Sequence, residues 1–405
     1  MQDTADQGGG EFLTAADSGQ LAAALKNALG GVIKQTAAVA SIATNSTRLS
    51  TDTAVYQARF SSQDWSGELL AYPINSDGTM GAQLWNAAAQ MPTHNARNIF
   101  TWSGSAGISF DYASMNATQK TAMGSSALVD YLRGDSSGEQ RNGGSYRDRS
   151  TVLGDIVNSD ALFVGAQDFG YRMLDDSDEA LAYATYLTEK KTRSTTIYVG
   201  ANDGMLHAFD AASGVEKFAY VPNETIVNEN LSLLASTAYT HKYFVDGPAF
   251  FGDAYIDTGS GASWKTILAG TTGAGGKSVF ALDITDPNSF DASKVLWEFT
   301  DPDLGYTVGQ PVVAKMADGQ WAVVFGNGYN SANQRAFLYI VNLETGALIK
   351  KIDTGAGDAT QHNGLASPAL LDLDGDRTID RIYAGDFIAF WARDLYNDDS
   401  QYRSL

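Results

Sequence analysis

The sequence has no cysteine. Disulfides and thiolate metal sites are therefore excluded, while the compartment stays open, because exported bacterial proteins often lack cysteine as well. Histidine is scarce too. His94, His207, His241 and His362 lie far apart and form no HExxH or His-x-His pair, so each reads as a packed or turn residue rather than a ligand. There is no phosphate loop. No apolar run approaches the ~18 residues that a membrane-spanning helix needs. The first residues, Met1-Gln2-Asp3-Thr4-Ala5-Asp6, are acidic and polar, unlike the basic start of a signal peptide, so an export signal is expected outside this chain. Positive charge is also in short supply: 27 Lys plus Arg stand against 47 Asp plus Glu, for a formal net charge of −20. That balance excludes unassisted nucleic-acid binding, sets the chain against anionic membranes, and makes cations its natural counterparts.

What is present is a chain of 405 residues, 44% hydrophobic, long enough for two or three ordinary domains or one large β architecture. After Gly8-Gly9-Gly10-Glu11-Phe12 comes a helix cap around Asp17-Ser18-Gly19-Gln20. Leu21, Leu25, Leu29, Val32 and Ile33 then follow at nearly helical spacing, which predicts an N-terminal amphipathic helix. The Ala-, Ser- and Thr-rich stretch 36–53 reads as the passage into the main body, with a boundary near Ser46, giving two units, 1–45 and 46–405. The last residues follow a strand with no closing element, and the expectation is an internal fragment truncated at its C-terminus.

Beyond the boundary the pattern is β and recurs. Ile197-Tyr198-Val199-Gly200, a turn at Asn202-Asp203-Gly204, and Met205-Leu206-His207-Ala208-Phe209-Asp210 form a strand, turn and strand that end in an Asp-to-Gly turn at Gly214. The theme returns at Gly270, Gly326 and Gly385, at intervals that suit four-stranded blades with insertions better than a short solenoid repeat. An earlier unit covers 56–60 and 68–72, with a turn at 75–78, for about five blades. An ordinary antiparallel sandwich would also have short strands and Gly-rich turns, but not this recurrence. The fold class is therefore all-β, a modified β-propeller with helical insertions expected at 117–132, 178–190 and 224–236.

The densest chemistry lies in 367–386, which reads as strand, acidic loop, strand. Asp372, Asp374, Asp376 and Asp380 occupy positions 1, 3, 5 and 9 of a calcium-loop pattern, with Thr378 at position 7, where a backbone carbonyl completes the shell. Hard oxygen ligands favour Ca²⁺. Two departures stand out: position 12 is Tyr383 rather than Glu, and position 6, which the sharp turn reserves for Gly, is Arg377. The short apolar flanks make strands, so the expectation is a calcium hairpin rather than a helical calcium loop.

Lesser signals accompany it. Arg133, Gly134 and Asp135 form an integrin-type tripeptide, a candidate binding motif that chance also produces often. Asp175, Asp176, Asp178 and Glu179 would make a second cation site, but acidic residues also suit the start of a helix.

Several strings together resemble one family. Tyr131-Leu132-Arg133-Gly134, Tyr146-Arg147-Asp148-Arg149 through Asn158-Ser159, the segment 198–210, His241-Lys242-Tyr243-Phe244-Val245-Asp246-Gly247 and the acidic hairpin are similar to the C-terminal domain of the PilC/PilY family of type IV pilus biogenesis factors and tip adhesins. The resemblance implies quinoprotein-like blades and metal ligands on Asp372, Asp374, Asp376, the Thr378 carbonyl and Asp380. It further implies a calcium loop that regulates pilus extension against retraction. It makes 1–45 the tail of a von Willebrand-type domain with a linker. The chain departs from the pattern after Asp386, where relatives carry a Gly-Asn turn and this sequence has Phe387-Ile388-Ala389-Phe390.

The reading that follows is non-enzymatic. It is a Ca²⁺-dependent pilus assembly or tip factor, exported to the pilus tip or outer surface of a Gram-negative bacterium, that supports twitching motility and adhesion. Its expected partners are minor pilins, the assembly machinery and a host or abiotic surface. The alternatives are a quinone-cofactor dehydrogenase propeller and a calcium-dependent adhesin or sugar-binding propeller without a pilus role.

Overall fold

The structure, a computed structural model, describes residues 37–44, 54–174, 177–388 and 393–397. The expected helix of 18–33 lies outside the described residues. Five sheets follow one another along the chain. The first comprises β1 (Ala37–Thr44), β2 (Ala54–Ser61), β3 (Ser66–Pro73) and the short β4 (Trp85–Asn86), paired in that order. It therefore begins inside the stretch expected to be a linker. The Ala- and Ser-rich strand β1 gains its order by pairing with β2, from Ala37 opposite Ser61 to Thr44 opposite Val55.

The second sheet contains β5 (Ile99–Trp102), β6 (Gly107–Ser109), β7 (Leu162–Val164), β8 (Thr196–Ala201), β9 (Met205–Asp210) and β10 (Glu216–Val221), ordered β6-β5-β10-β9-β8-β7. It is a four-stranded blade whose outer strand, β10, takes on β5 in parallel. The third sheet is β11 (Ala249–Asp257), β12 (Ala262–Thr271), β13 (Val279–Asp283) and β14 (Val295–Phe299). The fourth is β15 (Val312–Lys315), β16 (Trp321–Gly326), β17 (Phe337–Asn342) and β18 (Leu348–Asp353), and the fifth is β19 (Ala369–Leu371), β20 (Arg381–Ala384) and β21 (Arg393–Asn397). Gly200, Gly270 and Gly326 end or nearly end the second strands β8, β12 and β16, and Gly385 follows β20, so the sequence recurrence is the blade recurrence.

The central strands read as continuous apolar runs because they are buried on both faces. In β8, Ile197, Val199 and Ala201 face the core shared with the first sheet, while Tyr198 faces the core shared with the third. In β16, Val323 and Phe325 turn toward the third sheet, and Ala322 and Val324 toward the fifth. The two-residue period of a strand thus sorts alternate side chains into two different cores. Among the described residues each of these cores joins consecutive sheets, and none joins the first sheet to the fifth.

Tryptophans clamp two of the interfaces in the same way. Trp85 donates its indole N–H to the carbonyl of Ala211 at 3.2 Å, and Trp297 donates to Leu343 at 2.8 Å. Each ring lies on a turn built alike. The Asp210 carboxylate accepts the amides of Ala212 and Ser213, and the Asn342 side-chain oxygen accepts those of Glu344 and Thr345. Each turn closes on a glycine, Gly214 or Gly346, with φ of 74° or 72°. A Cβ at either position would stand 2.6 Å from the indole.

Helices enter between strands. The helical insertion expected over 117–132 is present as two helices, α1 (Ala117–Met123) and α2 (Ser126–Arg133), because the chain stops at Gly124 and the Ser125 side chain caps the next helix on the amide of Leu128. The third helix, α3 (Ser177–Lys190), packs Tyr183, Tyr186 and Leu187 into the core between the third and fourth sheets. It is pinned by Lys190, whose ammonium donates to both oxygens of the buried Asp253 at 2.7 and 2.8 Å. Asp178 and Glu179 occupy the first turn of α3, and Lys315 donates to Glu179, while Asp175 and Asp176 lie outside the described residues. The stretch 224–236 is a short helix, α4 (Asn223–Val227), followed by a 3-10 turn, Leu231–Ala235. Among the described residues no helix is long and apolar enough to cross a membrane.

Replacing Trp297 by Ala is expected to cost about 3–5 kcal/mol, as truncation of a buried aromatic does. Urea unfolding of the variant should show a clearly lowered midpoint, and Gly346→Val should destabilise in the same direction by displacing the same ring.

Candidate functional site

The acidic loop is set by the pairing of β19 with β20, in which Leu371 stands opposite Arg381, so that 372–380 form the connection. The amide of Asp380 closes the loop on the carbonyl of Leu371 at 2.9 Å. Inside it, backbone amides aim at carboxylates. Gly375 and Arg377 donate to Asp372 at 2.7 and 3.1 Å, Asp376 donates to Asp374 at 3.2 Å, and Thr378 donates through its amide to Asp376 at 2.7 Å. The Thr378 hydroxyl adds a bond to Asp376 at 2.8 Å.

The result draws Asp372, Asp374 and Asp376 together, with one carboxylate oxygen of each within 4.8 Å of the others. Among the described residues, this is the one group of three acidic or histidine side chains brought so close. Asp380 stands outside the group. It is mostly buried and its carboxylate accepts the amide of Leu373 at the base of the loop. The donor set fits a hard cation: two oxygens that share a Ca²⁺ at ~2.4 Å can be no more than ~4.8 Å apart. At that separation two carboxylates repel by about 3 kcal/mol at an effective dielectric near 20, less where solvent screens the exposed Asp374.

Arg377 carries the awkward position of the turn in the left-handed region, with φ of 76°, at a cost of about 1–2 kcal/mol for a residue with a Cβ. Its side chain leaves the loop for the insertion that follows β7. The guanidinium lies 3.6 Å from the Met173 sulfur and so close over Gly170 that a Cβ there would stand 3.1–3.2 Å away. Its other end remains 3.9 Å from Asp372. The opposite flank of the loop is tied to the fourth sheet, where the Ile379 amide donates to the Lys315 carbonyl at 3.0 Å.

The Arg133-Gly134-Asp135 tripeptide ends α2 and is absorbed by the fold. The Arg133 guanidinium donates to the carbonyls of Phe110, His94 and Arg97 at 2.9, 3.1 and 2.8 Å, Gly134 caps the helix, and Asp135 accepts the Ser137 amide and hydroxyl at 2.9 and 2.7 Å.

Sequence reasoning missed a buried ionic cluster next to that tripeptide. Arg97 pairs with Glu216 through two bonds of 2.6 and 2.7 Å, and His207 sits between Glu216, at 2.8 Å, and Asp203, at 3.0 Å. Burial opposes charge on the His207 ring, but the Asp203 and Glu216 carboxylates outweigh it and its pKa is pushed up to about 9. Burial likewise opposes charge on Glu216, and the Arg97 guanidinium with His207 brings it down to about 2. The signal was available as polar residues inside apolar strands, His207 in β9 and Glu216 at the start of β10, but their partner Arg97 is remote in sequence. His241 has a similar anchor, 2.7 Å from Asp155, with its ring stacked on Trp65 at 3.8 Å.

The folded state binds a proton at His207 more tightly than the unfolded chain. That contribution is therefore complete below the unfolded pKa near 6.5 and is lost as pH rises through about 9. Glu216 acts in the other direction, contributing above pH 4.5 and losing its effect as pH falls through about 2. Urea midpoints are expected to fall between pH 7 and 9.5 in the parent, with a shallower fall in His207→Gln. Arg97→Met, which strands a buried carboxylate, is expected to lose about 3–5 kcal/mol near neutral pH.

Comparison with known proteins places the acidic loop inside a matched region. The family model of the PilY1 beta-propeller domain matches residues 153–403. A type IV pilus biogenesis factor PilY1 homolog of Xylella fastidiosa is 37% identical, over 85% of this chain and 27% of that protein. Type IV pilus biogenesis factor PilY1 of Pseudomonas aeruginosa strain UCBPP-PA14 is 38% identical, over 85% of this chain and 31% of that protein. The chain thus spans less than a third of the length of these two relatives. The crystal structure of the Pseudomonas aeruginosa PilY1 C-terminal domain aligns with 41% identity over 55% of this chain and 43% of that one, at a TM-score of 0.46.

Proposed function

The chain belongs to the PilY1 beta-propeller family, and on that premise we propose that it is the propeller portion of a type IV pilus biogenesis factor. In this reading the propeller is a non-enzymatic scaffold whose acidic loop binds Ca²⁺ and favours pilus extension over retraction. The observation that carries the reading is the loop itself, in which hydrogen bonds from four backbone amides hold the carboxylates of Asp372, Asp374 and Asp376 within reach of one ion. Asp380 and the Thr378 carbonyl complete the proposed ligand set.

A bound cation would remove the repulsion among the carboxylates and offset the strain at Arg377, stabilising the closed loop by an amount set by ion concentration over dissociation constant. Because Arg377 reaches across to Gly170 and Met173, an ordered loop also holds the insertion of the second blade. The proposed setting is extracellular, at the pilus tip or outer surface of a Gram-negative bacterium. Minor pilins and the assembly machinery would be partners, with a host or abiotic surface beyond them, and twitching motility and adhesion would be the outputs.

Calorimetric titration of Ca²⁺ into the chelator-stripped chain is expected to show one site that discriminates against Mg²⁺ and disappears in an Asp376→Ala, Asp380→Ala double variant. Absence of heat in the parent would remove the calcium reading while leaving family and fold in place. In the bacterium, the same double variant is expected to leave pili retracted, and normal surface piliation would sink the regulatory role.

A further inference from the structure

β20 separates two different chemical environments. The acidic loop enters it at Asp380, and at its exit Phe387 stands 72% exposed beside a cavity of about 230 Å³. The cavity is lined by Tyr329, Asn330, Gln334, His362, Asn363 and Phe387. These come from the loop after β16, the connection leading to β19, and the exit of β20. We propose that this cavity is a binding site for a neutral pyranose sugar.

Three observations point to that class of ligand. The first is charge: in a chain of net charge −20, no Asp, Glu, Lys or Arg lines the cavity, so it selects for neither ionic sign. The second is shape and surface. Phe387 and Tyr329 are set with ring centroids 6.4 Å apart and planes at 65°, forming two aromatic walls at an angle. A sugar ring offers an apolar C–H face to one such wall and hydroxyls at its rim, and the volume lies below the ~300–1,000 Å³ of pockets that hold drug-sized ligands. Room for one ring, rather than an extended chain, is what the site provides.

The third observation is an unpaired donor. Asn363 is 1% exposed, and its side-chain oxygen accepts the amides of Gly364 and Phe387, both at 2.9 Å. Those two donors fix which amide atom is oxygen. The remaining NH₂ group has no hydrogen-bond partner, although buried amide groups are ordinarily satisfied. That nitrogen is covered from solvent, so a ligand hydroxyl would supply the missing acceptor on a shift of the cavity wall that uncovers it. The rim is already ordered to receive it: Gln334 donates to the Asn330 side chain at 3.2 Å, and the Asn363 amide donates to the Gln334 carbonyl at 3.0 Å.

The test uses the 405-residue chain and saturation-transfer NMR with the methyl glycosides of glucose, galactose, mannose and N-acetylglucosamine at millimolar concentration, beside glucuronate and cyclohexanol. Transfer to at least one neutral glycoside is expected, strongest at the C–H protons of one ring face. Phe387→Ala should weaken it about five- to tenfold, the scale of one lost aromatic contact. Leu84→Ala, which removes an apolar side chain that is likewise exposed, should leave it unchanged. Phe387 is exposed enough that its truncation should keep the melting temperature. Asn363→Ser, which deletes the unpaired amide, is expected to weaken transfer as well. No transfer to any neutral glycoside, transfer to cyclohexanol or glucuronate alone, or equal transfer in Phe387→Ala would overturn the proposal. Chelator should not abolish binding, since the acidic loop lies at the other end of β20, so failure here is separable from failure of the calcium reading.

Discussion

The structure depends on sheets stacked face to face, so that central strands have no solvent side. Each such strand must place apolar side chains on both faces, and alternate residues belong to different cores, as Ile197 and Tyr198 do in β8. A substitution in a central strand therefore acts on one of two interfaces according to its parity. The same constraint explains why Trp85 and Trp297 recur. The outer strand of one sheet needs a large, flat side chain to cover the turn of the next, and the indole N–H satisfies a carbonyl that would otherwise be buried without a donor.

At two places charge enters this stack in pairs. Lys190 with Asp253 secures α3 to the third sheet, and Arg97, Glu216, His207 and Asp203 secure the outer part of the second. Such clusters contribute little net stability compared with well-packed apolar substitutes, yet removing one member leaves an unpaired buried charge. They act as locks on where the insertions sit. The integrin-type tripeptide is part of one of these locks, since Arg133 and Arg97 exchange guanidinium-to-carbonyl bonds of 2.8 Å in both directions.

The acidic loop follows a different rule. Its carboxylates are gathered by loop amides, and Arg377 is turned mostly toward Gly170 and Met173. Concentrated negative charge is thereby left at the end of a short hairpin that is fastened on both flanks, to the insertion after β7 and to Lys315 of the fourth sheet. In the proposed function this is what links loop occupancy to the neighbouring blades.

The sequence by itself determined the local chemistry: the recurring strand, turn and strand units, the helical insertions, and the 1-3-5-9 carboxylate spacing. These rest on the two-residue strand period, on turn residues and on contiguous ligands, all of which are short-range. It marked 117–132 as helical but not the break at Gly124 and Ser125, which is decided only when α2 has a separate place to pack. It also took the strand from Ala37 for a linker, because Ala and Ser show little strand preference until β2 offers a partner. Tertiary structure alone decided which groups meet across long separations. It brought Arg97 to Glu216, Arg377 onto Gly170, and Tyr329 and Asn363 to Phe387, because the stacking of sheets, and not any pattern along the chain, sets those distances.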